Sequence, residues 1–145
     1  MNGPLTKESL PIGGRYKVQK WINAGGMQHV YLANDQLLGR EVALKTPKEG
    51  AGNKRFQDSA VVSAKVNHAN VAKTLDYLVD ADGRAFLVEE LVRGCDLEEI
   101  LTNYLPVLPP STCARILHQL AKGLAASHAV KVVHRDLKPS NIMIV

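Results

Sequence analysis

At 145 residues the chain has the length of a single domain, and its 46% hydrophobic and 22% charged residues are typical of a globular protein, which excludes disordered and collagen-like classes. The formal net charge is +4, but the 18 lysines and arginines are scattered, so we expect no nucleic-acid partner. The two cysteines form no CxxC pair and no apolar run approaches the roughly 18 residues of a membrane span, so we expect a cytoplasmic chain with no membrane segment.

The amino-terminal half predicts an irregular leader followed by a small antiparallel sheet. Residues 1–14 contain two prolines and three glycines among polar residues, which is typical of irregular structure. Apolar residues at a loose helical period predict one helix over residues 54–66, and the turn-rich residues 80–83 predict a hairpin. The β-prone stretches that predict five strands cover residues 16–22, 29–32, 41–46, 71–79 and 85–91.

The remainder of the chain predicts helices. Asp96 is a suitable N-cap for a short helix that ends near Asn103, and three prolines then break the chain. Ser111 is predicted to cap a second, longer helix. The apolar face of that helix is predicted to consist of Ala114, Leu117, Leu120, Ala121 and Leu124.

The most specific motif is the octapeptide HRDLKPSN at residues 134–141. It resembles the catalytic loop of the bacterial eukaryotic-like (Hanks-type) serine/threonine protein kinases, in which an aspartate is followed five residues later by an asparagine. The resemblance implies that Asp136 accepts the proton of the attacking hydroxyl and that Lys138 stabilises charge on the transferred phosphate. It also implies that Asn141 is both a catalytic residue and a ligand of Mg²⁺.

Upstream segments resemble the ATP-binding part of the same family. Residues 42–45, VALK, resemble the strand whose lysine, here Lys45, binds the α- and β-phosphates. Residues 22–30, INAGGMQHV, resemble the glycine-rich loop and retain Gly25 and Gly26. The remaining positions that the resemblance assigns to ATP are Ile22, Val30, Ala43 and Met143 around the adenine, the backbone of Glu90 and Val92 at the hinge, and Asp96 at the ribose.

Three positions depart from the family pattern. They are Asn23 and Gln28, which replace glycines of the phosphate loop, and Ser59, which replaces the helix glutamate that pairs with the strand lysine. The glycine replacements predict weakened rather than absent ATP binding. Because a desolvated lysine without a partner is costly, we hypothesise that Glu89, or failing it Asp58 after a rotation of the helix, pairs with Lys45.

The resemblance implies an α+β, protein-kinase-like bilobal fold. The expected parts are a leader over residues 1–14, an N-lobe of five antiparallel strands and one helix over 15–91, and the hinge with the start of a truncated helical C-lobe over 92–145. The implied activity is transfer of the ATP γ-phosphate, with Mg²⁺, to serine or threonine hydroxyls of a protein substrate. We expect this chain, which ends before the rest of such a domain, to be inactive alone. The alternative is a pseudokinase, or a nucleotide-binding regulatory or interaction module.

Overall fold

The computed structural model describes residues 5–25, 28–48 and 53–145. The chain forms two compact units, the first ending at Leu91 and the second beginning at Val92. The segment Lys65–Ala72 belongs to the second unit although it precedes that boundary in the sequence. This segment therefore interrupts the first unit between its helix and its fourth strand.

A five-stranded antiparallel sheet with the strand order β1-β2-β3-β5-β4 forms the first unit. Its strands are β1 (Tyr16–Gly25), β2 (Gln28–Asp35), β3 (Arg40–Pro47), β4 (Thr74–Val79) and β5 (Ala85–Glu90). The five predicted strands are confirmed. The first three are longer than predicted because backbone pairing continues through glycine and polar residues that have low strand propensity. Strand β4 begins later than predicted because the residues before it belong to the second unit.

The predicted turn between β4 and β5 is confirmed. Gly83 has a φ of +80°, and its N–H donates to the Asp80 carbonyl at 3.0 Å. The Asp80 carboxylate accepts the backbone N–H groups of Asp82 at 3.0 Å and Arg84 at 2.8 Å. A short acidic side chain that bonds its own backbone two residues on stabilises a turn, and glycine adopts the positive φ without strain.

One face of the sheet carries the larger hydrophobic core. Its buried members are Leu5, Ile12, Tyr16, Val18, Tyr31, Ala33, Val42, Leu44, Phe86 and Val88. Two of these, Leu5 and Ile12, come from the predicted leader, and the Leu5 N–H lies 3.4 Å from the Tyr31 hydroxyl oxygen. The described part of the leader is irregular in backbone but packs against the sheet, so ordered packing begins before Arg15, where we predicted that it would start.

Helix α1 (Asn53–Ser63) covers part of the opposite face of the sheet. Its residues Phe56 and Ala60 form a second buried cluster with Ala85 and Leu87 of β5. Because side chains alternate along a strand, β5 places Phe86 and Val88 in the larger core and places Ala85 and Leu87 against α1. The helix ends before residue 66, where we predicted its end.

The second unit contains two helices and a short strand pair. Its elements are β6 (Cys95–Asp96), α2 (Leu97–Asn103), α3 (Pro110–Ala129), a 3-10 turn (Pro139–Asn141) and β7 (Met143–Ile144), with β6 and β7 antiparallel. The predicted cap of α2 is confirmed, because the Asp96 Oδ1 accepts the Glu99 N–H at 2.8 Å.

The long helix α3 differs from its prediction at the start and on its buried face. It begins at Pro110 after Pro109, without a side-chain cap, so the predicted cap at Ser111 is wrong. Proline fits the first helical turn because its fixed φ suits the helix and its missing N–H would have no intrahelical partner. The buried positions are Gly123 and Ser127, whereas Leu117 of the predicted apolar face is 64% exposed.

None of the helices in the described ranges is long and apolar enough to cross a membrane.

Candidate active site

Lys45 and Glu89 form an ion pair on adjacent strands of the sheet. The register of β3 with β5 pairs Ala43 with Glu89 and Lys45 with Leu87, which places both charged side chains on the sheet face that α1 partly covers. Their side chains are only 29% and 15% exposed, so the pair is partly removed from water. The hypothesis that Glu89 supplies the missing carboxylate is therefore confirmed. Asp58, the other candidate, is 65% exposed and lies 4.0 Å from Lys54.

Other predicted nucleotide-binding residues surround Lys45 in the first unit. Val30 of β2 pairs with Lys45 across the sheet, and Ala43 is buried two residues before Lys45 on the same strand face. Ile22 lies at an irregularity in β1 where the register shifts, and it is 42% exposed. Gly25 ends β1 and pairs with Gln28, so the strands on both sides of the predicted phosphate loop are joined by backbone pairing. Gly26 lies outside the described residues.

The predicted hinge residues fall on the two sides of the boundary between the units. Glu90 is the last residue of β5, and its N–H donates to the Lys73 carbonyl at 2.9 Å. Because of this bond, the Glu90 N–H is engaged in the fold and is not free for a ligand. The Glu90 carboxylate also accepts the Lys73 N–H at 3.3 Å. Val92 is half-buried in the second unit.

The predicted catalytic residues of the second unit lie in direct contact. The Asp136 Oδ2 is 3.3 Å from the Lys138 Nζ, and the Asn141 Nδ2 donates to the same oxygen at 3.0 Å and to the Asp136 carbonyl at 2.8 Å. The 3-10 turn Pro139–Asn141 folds the chain back so that residues five apart meet. The hydrogen bond from Asn141, and then the one from Lys138, hold the pKa of the Asp136 carboxyl below its ordinary value.

Two residues of the loop shape its backbone, and for one of them, Arg135, the family resemblance had implied that it braces the loop. Arg135 has a φ of +62°, a conformation that costs a non-glycine residue roughly 1–2 kcal/mol and that occurs most often where function fixes the backbone. The His134 Nδ1 accepts the Asp136 N–H at 3.3 Å. Both residues belong to the motif, but the positive φ of Arg135 and the hydrogen bond to His134 could not be read from the sequence.

Asp96 and Met143 are paired with each other in the β6–β7 ladder. Asp96 caps α2, and Met143 is 40% exposed. Gly94, which the sequence showed only as part of the hinge, precedes this ladder, and a Cβ atom there would overlap the backbone carbonyl of Ile144. The absence of a side chain at residue 94 therefore allows the close approach that forms the ladder.

The family model described as the protein kinase domain matches residues 16–145. This chain belongs to the protein kinase family. The chain is 37% identical over 138 residues to the serine/threonine-protein kinase PrkC of Bacillus subtilis, which covers 92% of this chain and 21% of that protein. It is 38% identical over 141 residues to the probable serine/threonine-protein kinase PknB of Corynebacterium glutamicum, covering 92% of this chain and 22% of that protein.

The fold of the kinase chain agrees with solved kinase structures. The crystal structure of the Mycobacterium tuberculosis PknI kinase domain superposes with a TM-score of 0.83 at 24% identity, covering 98% of this chain and 59% of that one. The predicted α+β kinase fold is thus confirmed. The chain spans about a fifth of the length of the curated relatives that it matches.

The kinase chain departs from its family at Ser59, which lies on α1 and is exposed. A serine cannot form an ion pair with Lys45, and Glu89 of β5 takes that place. The partner of the lysine therefore comes from the sheet itself rather than from the helix.

The donor set of the catalytic loop suits a hard divalent cation. Both hydrogen bonds that Asn141 makes to Asp136 use its Nδ2 atom, so the amide oxygen is the atom that it can offer to a cation. Amide and carboxylate oxygens are the ligands that Mg²⁺ prefers. In the described part of the chain no group of three or more His, Cys, Asp or Glu residues is placed to hold a metal ion on its own.

Proposed function

We propose that this kinase chain serves the ATP-dependent phosphorylation of serine or threonine hydroxyls on proteins. The observation that carries the proposal is the contact of Asp136 with both Lys138 and Asn141. Catalysis of phosphoryl transfer consists mainly of positioning and charge stabilisation, and a carboxylate, an ammonium and an amide in one loop supply those functions.

Asp136 would accept the hydrogen bond, and finally the proton, of the attacking hydroxyl. Asp136 is ionised at neutral pH as aspartates ordinarily are, and the hydrogen bonds that lower its pKa further stabilise that form, so it acts as a hydrogen-bond acceptor that orients the nucleophile. Lys138 lies 3.3 Å from that carboxylate and would place positive charge beside the phosphate being transferred.

ATP and Mg²⁺ are the proposed cofactors. The Asn141 amide oxygen would hold Mg²⁺, which when bound neutralises charge on the phosphates. Lys45 would bind the phosphates through the donors that remain after its bond to Glu89, because an ammonium has three N–H donors. The proposed contacts for the rest of the nucleotide are Ile22, Val30, Ala43 and Met143 with the adenine, the backbone carbonyl of Glu90 and the backbone of Val92 at its edge, Asp96 with the ribose, and Gly25 and Gly26 with the phosphates.

The proposed partner is a protein, and the proposed location is the cytoplasm. The serine/threonine specificity is supported by Lys138 and Pro139 in the catalytic loop, which resemble that class of kinase. The location is supported by Cys95 and Cys113, which are both free thiols, since cysteines stay reduced in the cytoplasm.

The substitution Asp136→Asn tests the transfer step. It removes the proton acceptor but keeps the size of the side chain, so we expect the natural protein to lose at least about 100-fold in transfer of the ATP γ-phosphate to a serine-containing acceptor protein. The matched control is Asp82→Asn in the exposed β4–β5 turn, which we expect to leave transfer unchanged. Transfer by a folded Asp136→Asn protein at the rate of the control would contradict the proposal.

A second candidate function is a nucleotide-binding regulatory module without transfer activity. The observations that favour it are the three departures at Asn23, Gln28 and Ser59. ATP binding by the natural protein without any γ-phosphate transfer, in the assay above, would support this function against the first.

A further inference from the structure

The ion pair between Lys45 and Glu89 has a structural consequence beyond pairing of charge. Both residues lie on strands that are hydrogen-bonded to each other, in a register that brings their side chains to the same face. The relative position of the two groups is therefore set by backbone pairing inside the sheet. No residue of α1 takes part in the pair, since Asp58 is exposed and lies 4.0 Å from Lys54.

We propose that Glu89 is the positioning residue of Lys45, and that ATP binding by this chain is independent of the position of α1. This inference rests on the proposed function, because it assigns a cause to the binding of the nucleotide phosphates. Helix α1 then has a packing role through Phe56 and Ala60, whereas the orientation of the lysine is fixed whether or not the helix is firmly docked.

Burial makes the pair sensitive to loss of either charge. Glu89 is 15% exposed and Lys45 is 29% exposed, so removal of one partner leaves a partly desolvated charge without compensation. Without its partner, Lys45 is free to adopt other rotamers. ATP binding must then order this long side chain, and the conformational entropy lost in doing so reduces the affinity for ATP. We therefore expect Glu89→Gln, which keeps the shape of the side chain, to weaken ATP binding.

The test is a double-mutant cycle of Lys45→Met and Glu89→Gln, read as the Kd of Mg²⁺·ATP by calorimetry on the 145-residue chain. We expect Glu89→Gln alone to raise the Kd about tenfold, within the range of coupling between contacting residues, and to have no further effect when Lys45 is already Met. Asp58→Asn is the matched control, because Asp58 is the rival carboxylate, and we expect it to leave the Kd unchanged.

Helix α1 is perturbed separately with Val61→Gly, which lowers helix propensity at a side chain that is 57% exposed, and with Phe56→Leu in the buried cluster. We expect both variants to speed hydrogen exchange of the α1 amides and to change the Kd less than twofold. If either variant stays folded and weakens ATP binding as much as Glu89→Gln does, the independence from α1 is wrong.

Failure of this inference and failure of the proposed function give different results. If the unmodified chain is folded and binds no ATP, the proposed function and this inference both fall. If the unmodified chain binds ATP and Glu89→Gln binds it equally well, or if the two substitutions are additive, only the role of Glu89 is overturned.

Discussion

Two carboxylates are held in the ionised form by different neighbours. The pKa of Asp136 is lowered by hydrogen bonds from Asn141 and Lys138, in an exposed loop where a substrate can reach it. The pKa of Asp35 is lowered to about 2, first by its hydrogen bonds with the Arg15 guanidinium. Asp35 is buried and belongs to the framework of the first unit, so the same physical effect supports chemistry at one residue and stability at the other.

The Asp35 site anchors the hairpin between β2 and β3 to the start of β1. Arg15 donates to both oxygens of Asp35 at 2.7 Å, and the carboxylate also accepts the N–H groups of Leu37 at 3.1 Å and Leu38 at 3.2 Å. The Arg15 guanidinium lies 3.6 Å from the Asp76 carboxylate as well, which extends the contacts to β4.

This arrangement predicts a loss of stability in acid. The folded-state pKa of Asp35, about 2, is below the unfolded value of about 3.9, so its contribution is fully present above about pH 4 and disappears as the pH falls through about 2. We expect Asp35→Asn to have a lower free energy of unfolding at pH 7 than the unmodified chain, as measured by urea unfolding. Between about pH 4 and pH 2, we expect the free energy of unfolding to fall less in Asp35→Asn than in the unmodified chain. Asp58→Asn, at an exposed carboxylate, serves as the control. Equal acid sensitivity of Asp35→Asn and the unmodified chain would contradict this assignment.

The pairing of Glu89 could be anticipated from the sequence, whereas that of Asp35 could not. Ser59 left Lys45 without its family partner, and the sequence offered two carboxylates to replace it, Glu89 on the neighbouring strand and Asp58 on the helix. Nothing local in the sequence joins Arg15 to Asp35, because that pairing depends on the register that brings the ends of β1 and β2 together.

At the scale of elements, the Asp80 turn and the Asp96 cap act as predicted, and both depend on local hydrogen bonds. The Asp96 carboxylate accepts the Glu99 N–H at 2.8 Å and so caps α2 within one helical turn. Glu98 and Glu99 add negative charge at the N-terminal end of α2, where it interacts favourably with the helix dipole.

Loss of that cap has a measurable consequence. We expect Asp96→Ala to destabilise α2 by about 1 kcal/mol and Asp96→Asn to retain most of that stability, because asparagine also accepts the backbone N–H. Hydrogen exchange of the Glu99 amide measures the effect, with Glu98→Gln as a control that keeps the cap. If the amide exchanges no faster in Asp96→Ala than in Asp96→Asn, the cap does not stabilise the helix.

Elements whose limits depend on contacts between distant residues were predicted less well. The strands were located from their β-prone residues, but their ends were not, because pairing extends through residues such as Asn23 that have weak strand propensity. The start of α3 was misplaced for a local reason, because a proline in the first turn replaced the side-chain cap. The burial of Leu5 and Ile12 was missed because an irregular leader has no periodic pattern to indicate which side chains face the sheet.

For the whole molecule, the sequence predicted the kinase fold and the family, and both are confirmed. The sequence motif of the catalytic loop is contiguous, so the three residues proposed to act in catalysis could be selected without a structure. The residues that we propose to bind the nucleotide are spread from Ile22 to Met143, and only the resemblance to the family collected them into one set. Their assignment to ATP is therefore the part of the proposal that most needs measurement.

The proposal that matters most is that this part of a protein kinase domain binds ATP through Lys45. The most direct measurement is the melting temperature of the chain against ATP concentration, with and without Mg²⁺, for the unmodified chain, for Lys45→Met and for a control, Lys122→Met, on the exposed side of α3. We predict a rise for the unmodified chain and the control, equivalent to about 2.7 kcal/mol at 100 times the Kd of the unmodified chain, and a much smaller rise for Lys45→Met at the same ATP concentration. The absence of a rise in a folded unmodified chain, or an equal rise in Lys45→Met, would contradict the claim.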